Sequence, residues 1–337
     1  MVVNRVEIKD FLVFKGQFAV DFCPGVNVFI GGNGTGKTTL IKTIYNSYCL
    51  FRGNSLDSNA TSYLPYFTQV NSDISPKIYS DKNGLSNVKE IKHNMFAVFF
   101  NLSSRDYHVP SEQNICQVDI SAVFIPEKDI LEHAKGLLPF IEQKQTGFSA
   151  IYKDVLIAAQ DVPTQEQSET QRSVGQKIAA IVGGVVQWEQ SDGMFYTIRT
   201  NGMRIPFVYE ASGFKKLGYL GLLVTSGQLE PGSILFWDEP ENSLNPEFIP
   251  ELVNILLDLS RNGVQIFIAT HSEILASYFA VNRKKGDSVM FYSLYKDGEQ
   301  IKADTNDRFD MLEPNNLKAE IVNLYEKEIE RGLAGNG

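Results

Sequence analysis

The sequence predicts an α/β chain built on a mainly parallel sheet, and three observations carry that expectation. Apolar runs of strand length, "GVNVFI" (25–30), "ILFW" (234–237) and "VQIFIA" (264–269), hold at most one polar residue each and read as strands covered on both faces. Strand-like and helix-like stretches alternate along the chain, as parallel sheets with helical crossovers require. The first run passes straight into "GGNGTGKT", four glycines among eight residues, and then into helical periodicity.

Each element follows from its local pattern. "VEIKDFLVFKGQFAVDF" (6–22) alternates apolar and polar residues and reads as two antiparallel strands turning near Lys15-Gly16. Residues 39–50 carry Leu40, Ile41, Ile44, Tyr45 and Tyr48 at helical spacing, whereas 51–94 are rich in Asn, Ser and Gly and read as loops with short strands. "MFAVFFNL" (95–102) and "VDISAVFIP" (118–126) read as strands and 128–160 as mainly helical. "PTQEQSETQRSVGQ" (163–176) reads as a solvated connection. Strands are expected again at 194–209, a helix at 214–226, the "ILFW" strand, a helix near 247–261 and the "VQIFIA" strand. "SVMFYSLYKDGEQIKA" (288–303) reads as a hairpin, and a helix follows Asn315. Leu317, Ile321, Leu324 and Tyr325 share a face of that helix, which is expected to pack on the same domain, with a docking role as the alternative. The domain expectation is a core of residues 1–50 and 209–305, an inserted lobe of mixed strands and helices over 51–208, and a C-terminal helix in 306–337.

Composition narrows the class. The chain has 337 residues, 43% apolar and 21% charged, ordinary for a soluble enzyme. Its net charge of −9 argues against a surface that grips nucleic acid throughout, although a local basic patch leaves nucleic acid open as a partner. Arg283-Lys284-Lys285 reads as a solvated loop, with contact to nucleic-acid phosphates as the alternative. Cys23, Cys49 and Cys116 form no CxxC pair, and the N-terminus has no signal-peptide pattern. No apolar run approaches the roughly 18 residues that span a bilayer. A soluble cytoplasmic protein with no membrane partner is expected.

Gly31-x4-Gly36-Lys37-Thr38 carries the strongest chemistry. Glycines let the main chain curl until several N–H groups converge on phosphate oxygens, and the following helix N-terminus favours the same anion. Lys37 is placed to reach the β- and γ-phosphates of a nucleoside triphosphate, and the Thr38 hydroxyl to ligate Mg²⁺. Asn33, Gly34, Thr35 and Thr39 complete the cradle.

After "ILFW" come Asp238 and Glu239. Asp238 is the candidate second Mg²⁺ ligand, and Glu239 the candidate base that orients the attacking water. Within "YEASGFKKLGYLGLLV" (209–224), Ser212-Gly213 stands at a helix start that suits a phosphate, an ordinary N-cap being the local alternative. "VQIFIATHS" ends in Thr270, His271 and Ser272, and His271 is the candidate γ-phosphate sensor.

The order phosphate loop, Ser-Gly helix start, Asp-Glu strand and strand-end histidine resembles the ATP-binding-cassette-type ATPases. The spacing is similar to that of the soluble branch containing the RecF, SMC and overcoming-lysogenization-defect (OLD) ATPases. "VEIKDFLVFKGQFAVDFCPGVNVFIGGNGTGKTTL" resembles the opening of that branch and "DEPENSLNPE" its Asp-Glu-Pro-Glu-x-x-Leu-x-Pro signature. "VFIPEKDIL", "FSAIYKDV" and "GVQIFIATHS" look like stretches of bacterial stand-alone AAA-type ATPases allied to OLD, several tied to phage defence.

The resemblance implies a P-loop NTPase of ABC-ATPase type that takes ATP and Mg²⁺ and works as a homodimer. Ser212 and Gly213 would reach the ATP held by residues 31–39 of a second copy, Asn242 to Asn245 would line the interface, and His271 would be the switch histidine. Two departures stand out. Glu127 occupies the position where a glutamine is usual; Gln69 or Gln117 is a candidate substitute, or Glu127 itself serves the metal through water. "ASGFKK" is also a reduced form of the family's Leu-Ser-Gly-Gly stretch.

An ABC transporter subunit would prefer Ser-Ala-Leu-Asp near Ser243, and a GTPase would need Asn-Lys-x-Asp; neither is present. An SMC-type bridge would need long heptad arms between the nucleotide motifs. An OLD-type nuclease would need a metal-binding domain after His271, for which the remaining stretch is short. The expected function is therefore an ATPase whose nucleotide-driven dimerisation gates a separate effector, a nuclease or toxin encoded nearby, in antiviral defence. A RecF-like mediator of DNA repair or recombination that binds nucleic acid is the alternative.

Overall fold

The computed structural model describes residues 2–52, 75–80, 87–93, 96–102, 107–108, 117–118, 121–143, 150–161 and 167–334. The alternating start of the chain forms β1 (Val2–Phe11) and β2 (Phe14–Asp21), antiparallel with Ile8 opposite Phe18. Their turn falls at Leu12-Val13, ahead of the expected Lys15-Gly16. A register shift between Lys9 and Phe11 leaves Asp10 and Leu12 at φ 49° and 52°, and the Asp10 carboxylate accepts the Gly16 N–H at 2.8 Å. β3 (Val26–Gly31) is buried at every residue and leads through the glycine loop into α1 (Lys37–Arg52), which turns Leu40, Ile41, Ile44 and Tyr48 inward.

β4 (Ser75–Ser80), β5 (Asn87–His93) and β6 (Phe96–Leu102) extend the N-terminal hairpin into a five-stranded antiparallel sheet, ordered β2-β1-β6-β5-β4. β7 (Tyr107–His108) and β8 (Gln117–Val118) pair with each other. β9 (Ala122–Ile125) precedes α2 (Ala134–Gln143) and α3 (Ala150–Gln160), the expected helical stretch.

The stretch read as a solvated connection is helical in its second half, as α4 (Glu169–Val182). Ser168 caps it by accepting the Gln171 N–H, while the Gln171 side chain accepts the Ser168 N–H at 2.7 Å. Val174, Ile178 and Val182 form the buried stripe, which lies mostly past the polar run that suggested a loop. β10 (Gly184–Glu189), absent from the sequence expectation, joins β11 (Met194–Arg199) and β12 (Arg204–Pro206) in a three-stranded sheet.

The remaining elements are α5 (Ser212–Thr225), β13 (Ile234–Asp238), α6 (Ile249–Arg261), β14 (Gln265–Ala269), α7 (Glu273–Asn282), β15 (Val289–Asp297), β16 (Gln300–Asn306) and α8 (Asn316–Ala334). The main sheet runs β16-β15-β3-β14-β13-β9, parallel except for the β15–β16 hairpin. Residues 51–208, expected as one inserted lobe, therefore contribute to several sheets: β6 pairs with β1 and β9 with β13. "AVFI" is buried at all four positions: β9 pairs along β13, and α1 and α3 pack against it.

Rings stack across five neighbouring strands. Phe124 lies 6.3 Å from Phe236, Phe236 5.0 Å from Phe267, Phe267 6.3 Å from Phe29, and Phe29 4.7 Å from Tyr292. Offset aromatic pairs add about 0.5–1.5 kcal/mol each beyond area burial, so this ladder stiffens the sheet that carries the loops. α8 departs from expectation. Leu317 touches the core, but Ile321, Leu324 and Tyr325 are exposed, Tyr325 at 60%, because only the first turn meets the body. Among the described residues no helix is long and apolar enough to cross a membrane.

Gln265 fastens the two large sheets together. Its carbonyl accepts the Val3 N–H at 2.8 Å, and its amide donates to the Val3 and Cys23 carbonyls at 2.9 and 2.8 Å. Gln265→Leu leaves these buried groups unpaired and is expected to cost about 2–4 kcal/mol, read from the urea unfolding midpoint at unchanged slope.

Candidate functional site

The loop between β3 and α1 is shaped by what its glycines must avoid. Gly31 has φ 144°, and a Cβ there would lie 2.2 Å from the Leu294 carbonyl oxygen of β15. Gly36 has φ 92°, and a Cβ would meet the Phe14 ring at 2.7 Å. Thr35 is buried and donates its hydroxyl to the Gly32 carbonyl at 2.9 Å, closing the loop, while Asn33 and Gly34 form its exposed tip. The amides of Lys37, Thr38 and Thr39 open α1, where N–H groups have no acceptor within the helix.

Lys37 is 5% exposed, and its Nζ donates to the Gly31 and Gly32 carbonyls at 2.8 and 3.2 Å. Burial pushes its pKa down to about 8, against the opposing pull of Glu239, Asp238 and Glu241. An anion held by the loop would favour the charged amine.

β13 delivers the carboxylates. Thr38 Oγ1 donates to Asp238 Oδ1 at 2.9 Å, joining motifs 200 residues apart. Burial raises the Asp238 pKa, with the Thr38 hydrogen bond opposing it. Among the described residues no three carboxylate, imidazole or thiolate groups gather as a metal cage. The hydroxyl–carboxylate pair instead fits Mg²⁺, a hard cation that keeps waters and phosphate oxygens in its shell.

Glu239 follows with φ 50°, a left-handed backbone uncommon for a residue with a side chain. Its N–H donates to the Ala269 carbonyl at 2.8 Å, and its carbonyl accepts from Lys216 Nζ at 2.9 Å. Partial burial, then Glu127, Glu241 and Asp238, raise its pKa. His271 Nε2 stands 3.6 Å from Glu239 Oε1, and burial followed by Lys37 keeps the imidazole below its ordinary pKa. Glu239 and His271 are thus neighbours at the ends of β13 and β14.

Ser212 is the first residue of α5 and not its cap; Ala211 holds the N-cap position and offers no side-chain bond. The Ser212 side chain is exposed. Gly213 is buried, and a Cβ there would lie 2.6 Å from the Ser243 carbonyl, so this helix start presses on the turn after β13. Glu127 Oε1, from the segment after β9, accepts from Asn242 Nδ2 of that turn at 3.3 Å. Gln69 and Cys116 lie outside the described residues, and of Gln117 only its backbone in β8 is described.

Two residues here escape sequence reasoning. Glu241 Oε1 accepts the Thr270 hydroxyl at 2.6 Å and the His271 N–H at 3.0 Å, fixing the histidine loop. Its Oε2 is buried and unpaired among the described residues. Lys216 is 6% exposed yet sits on an exposed-looking Lys-Lys pair in sequence. A lysine at helical spacing among Leu217, Leu220 and Val224 was the available signal.

A family model described as an AAA domain matches residues 5–181. A second, described as "AAA domain, putative AbiEii toxin, Type IV TA system", matches residues 118–277. A stretch of 44 residues is 46% identical to the DNA replication and repair protein RecF of Heliobacterium modesticaldum, and 45 residues are 49% identical to RecF of Lactobacillus gasseri. Each match covers 13% of this chain and 12% of the relative, so the chain spans only a small part of the curated relatives it matches. Among solved structures, an Smc head bound to the C-winged helix domain of ScpA is similar in fold, with TM-score 0.50 and 11% identity over 91% of this chain and 98% of that one.

The displaced Lys37 pKa has a signed consequence. The amine loses its proton near pH 8 in the folded chain but near 10.5 when unfolded. Between those values the native state binds fewer protons, so this group makes stability rise with pH. Urea unfolding followed across that range is expected to show an increment that Lys37→Met removes.

Proposed function

This chain belongs to the AAA domain family, in an ATPase lineage allied to RecF and SMC heads, and on that footing we propose that it binds ATP with Mg²⁺ and hydrolyses it between two copies. The observation that carries this reading is the Thr38–Asp238 hydrogen bond at 2.9 Å, with Lys37 buried beside it and Glu239 at the next position. Lys37 and the loop amides of residues 31–39 would cradle the β- and γ-phosphates. Thr38 and Asp238 would hold Mg²⁺, which supplies charge neutralisation at the phosphates. Glu239, its pKa raised by burial and neighbouring carboxylates, would orient and deprotonate the attacking water. His271, 3.6 Å from that carboxylate, is positioned to report the γ-phosphate.

Closure of a second copy would bring its exposed Ser212 and buried Gly213 onto the nucleotide, so that ATP joins the two heads. The dimer in turn would gate a separate effector, a nuclease or toxin. The toxin-system wording of the matching family supports the defence half of this reading. The match to RecF over 44 residues supports a second reading, a nucleic-acid-binding mediator. Titration with duplex DNA at several salt concentrations separates the two: tight binding with a steep salt slope and no protein partner favours the mediator.

Glu239→Gln is expected to keep ATP affinity, lower turnover by about 100-fold or more and accumulate a nucleotide-bound dimer in light scattering. Native turnover in that variant would remove Glu239 from the chemistry. Lys37→Ala is expected to abolish ATP binding in calorimetry.

A further inference from the structure

The turn after β13 contains two residues with side chains in the left-handed region, Glu239 at φ 50° and Ser243 at φ 65°. α5 meets both from one side. Gly213 lies against the Ser243 carbonyl, where a Cβ would approach to 2.6 Å, and Lys216, three residues on and on the same helical face, donates to the Glu239 carbonyl at 2.9 Å. Such backbone persists only where its surroundings over-determine it.

Lys216 is not a salt-bridge residue. It is 6% exposed, and among the described residues its hydrogen bond goes to this main-chain carbonyl and to no carboxylate. Burying an ammonium is costly unless it is paired. Here the field of Glu241, Glu127, Glu239 and Asp238 opposes the burial that lowers its pKa. The carboxylates surround the amine while the Glu239 carbonyl takes its hydrogen bond.

We propose that Lys216 is a positioning residue for Glu239: its ammonium holds the Glu239 peptide in the left-handed conformation and ties that carboxylate to the helix that begins at Ser212. The helix start and the water-orienting group then move as one body. A second copy's nucleotide engaging Ser212 would be felt at the Glu239 of the same chain, through Lys216 and Gly213. This inference rests on the role assigned to Glu239 above.

The test compares Lys216→Met, which keeps the apolar stem, with Lys216→Arg, which keeps a charged donor. Lys216→Met is expected to lower kcat about tenfold or more with KM and ATP affinity within about twofold, and Lys216→Arg to recover part of the loss. In a Glu239→Gln background the same substitution should change residual turnover by less than about twofold, because both act through one carboxylate. A merely structural lysine would cost the same in either background. Native kcat in Lys216→Met, or an equal loss with and without Glu239, overturns the proposal. Should Lys216→Met fail to fold, Lys216→Gln is read by the same comparisons. Failure of the underlying reading shows separately, as a native chain without ATP turnover or a Glu239→Gln variant with native turnover.

Discussion

The hydrogen bond from Thr38 to Asp238 is the constraint on which the site depends. In the sheet order, β3 and β13 are separated by β14, about 10 Å apart at ordinary strand spacing. Because the three run parallel, their C-terminal ends open at one edge, and the glycine loop, the histidine loop and the carboxylate turn meet there. The bond reaches over β14 from the first turn of α1. Its geometry holds only while the sheet keeps its register, which the stack from Phe124 to Tyr292 helps to maintain.

Around that bond the charges hold one another in place. Burial lowers the Lys37 pKa and raises those of Asp238 and Glu239, so desolvation weighs against the charged form of each. Lys37 and Asp238 partly oppose that desolvation for one another, while the neighbouring carboxylates add to the rise at Glu239. The turn at 239–243 adds strain of order 1–3 kcal/mol at each left-handed residue. It is met by the Ala269 carbonyl, Lys216 and the close approach of Gly213. Glu241 extends the same frame to His271, so both candidate reacting groups hang from one short turn.

Much of this was legible beforehand. The apolar strands at 26–31, 234–238 and 265–269, the glycine loop and the Asp238-Glu239 pair lie where local pattern put them. The differences have separate causes. α4 was hidden because its polar face and cap precede its apolar stripe, although Ser168 and Gln171 spell a capping box. The hairpin turns early, at Leu12-Val13, where Asp10 and Leu12 take left-handed backbone and the Asp10 carboxylate accepts the Gly16 N–H. The apolar face of α8 meets the body only at Leu317, because the helix runs off the core after its first turn.

By itself the chain's order of residues determined the central strands, most of the helices and the glycine loop, because periodicity, glycine freedom and motif spacing act over a few neighbouring positions. Only the tertiary structure decided that β9 joins the main sheet, that Glu241 governs the histidine loop and that Lys216 reaches the Glu239 carbonyl. Those outcomes depend on which edges and buried charges find partners across distant segments, and a buried ammonium reads in sequence like any solvated lysine.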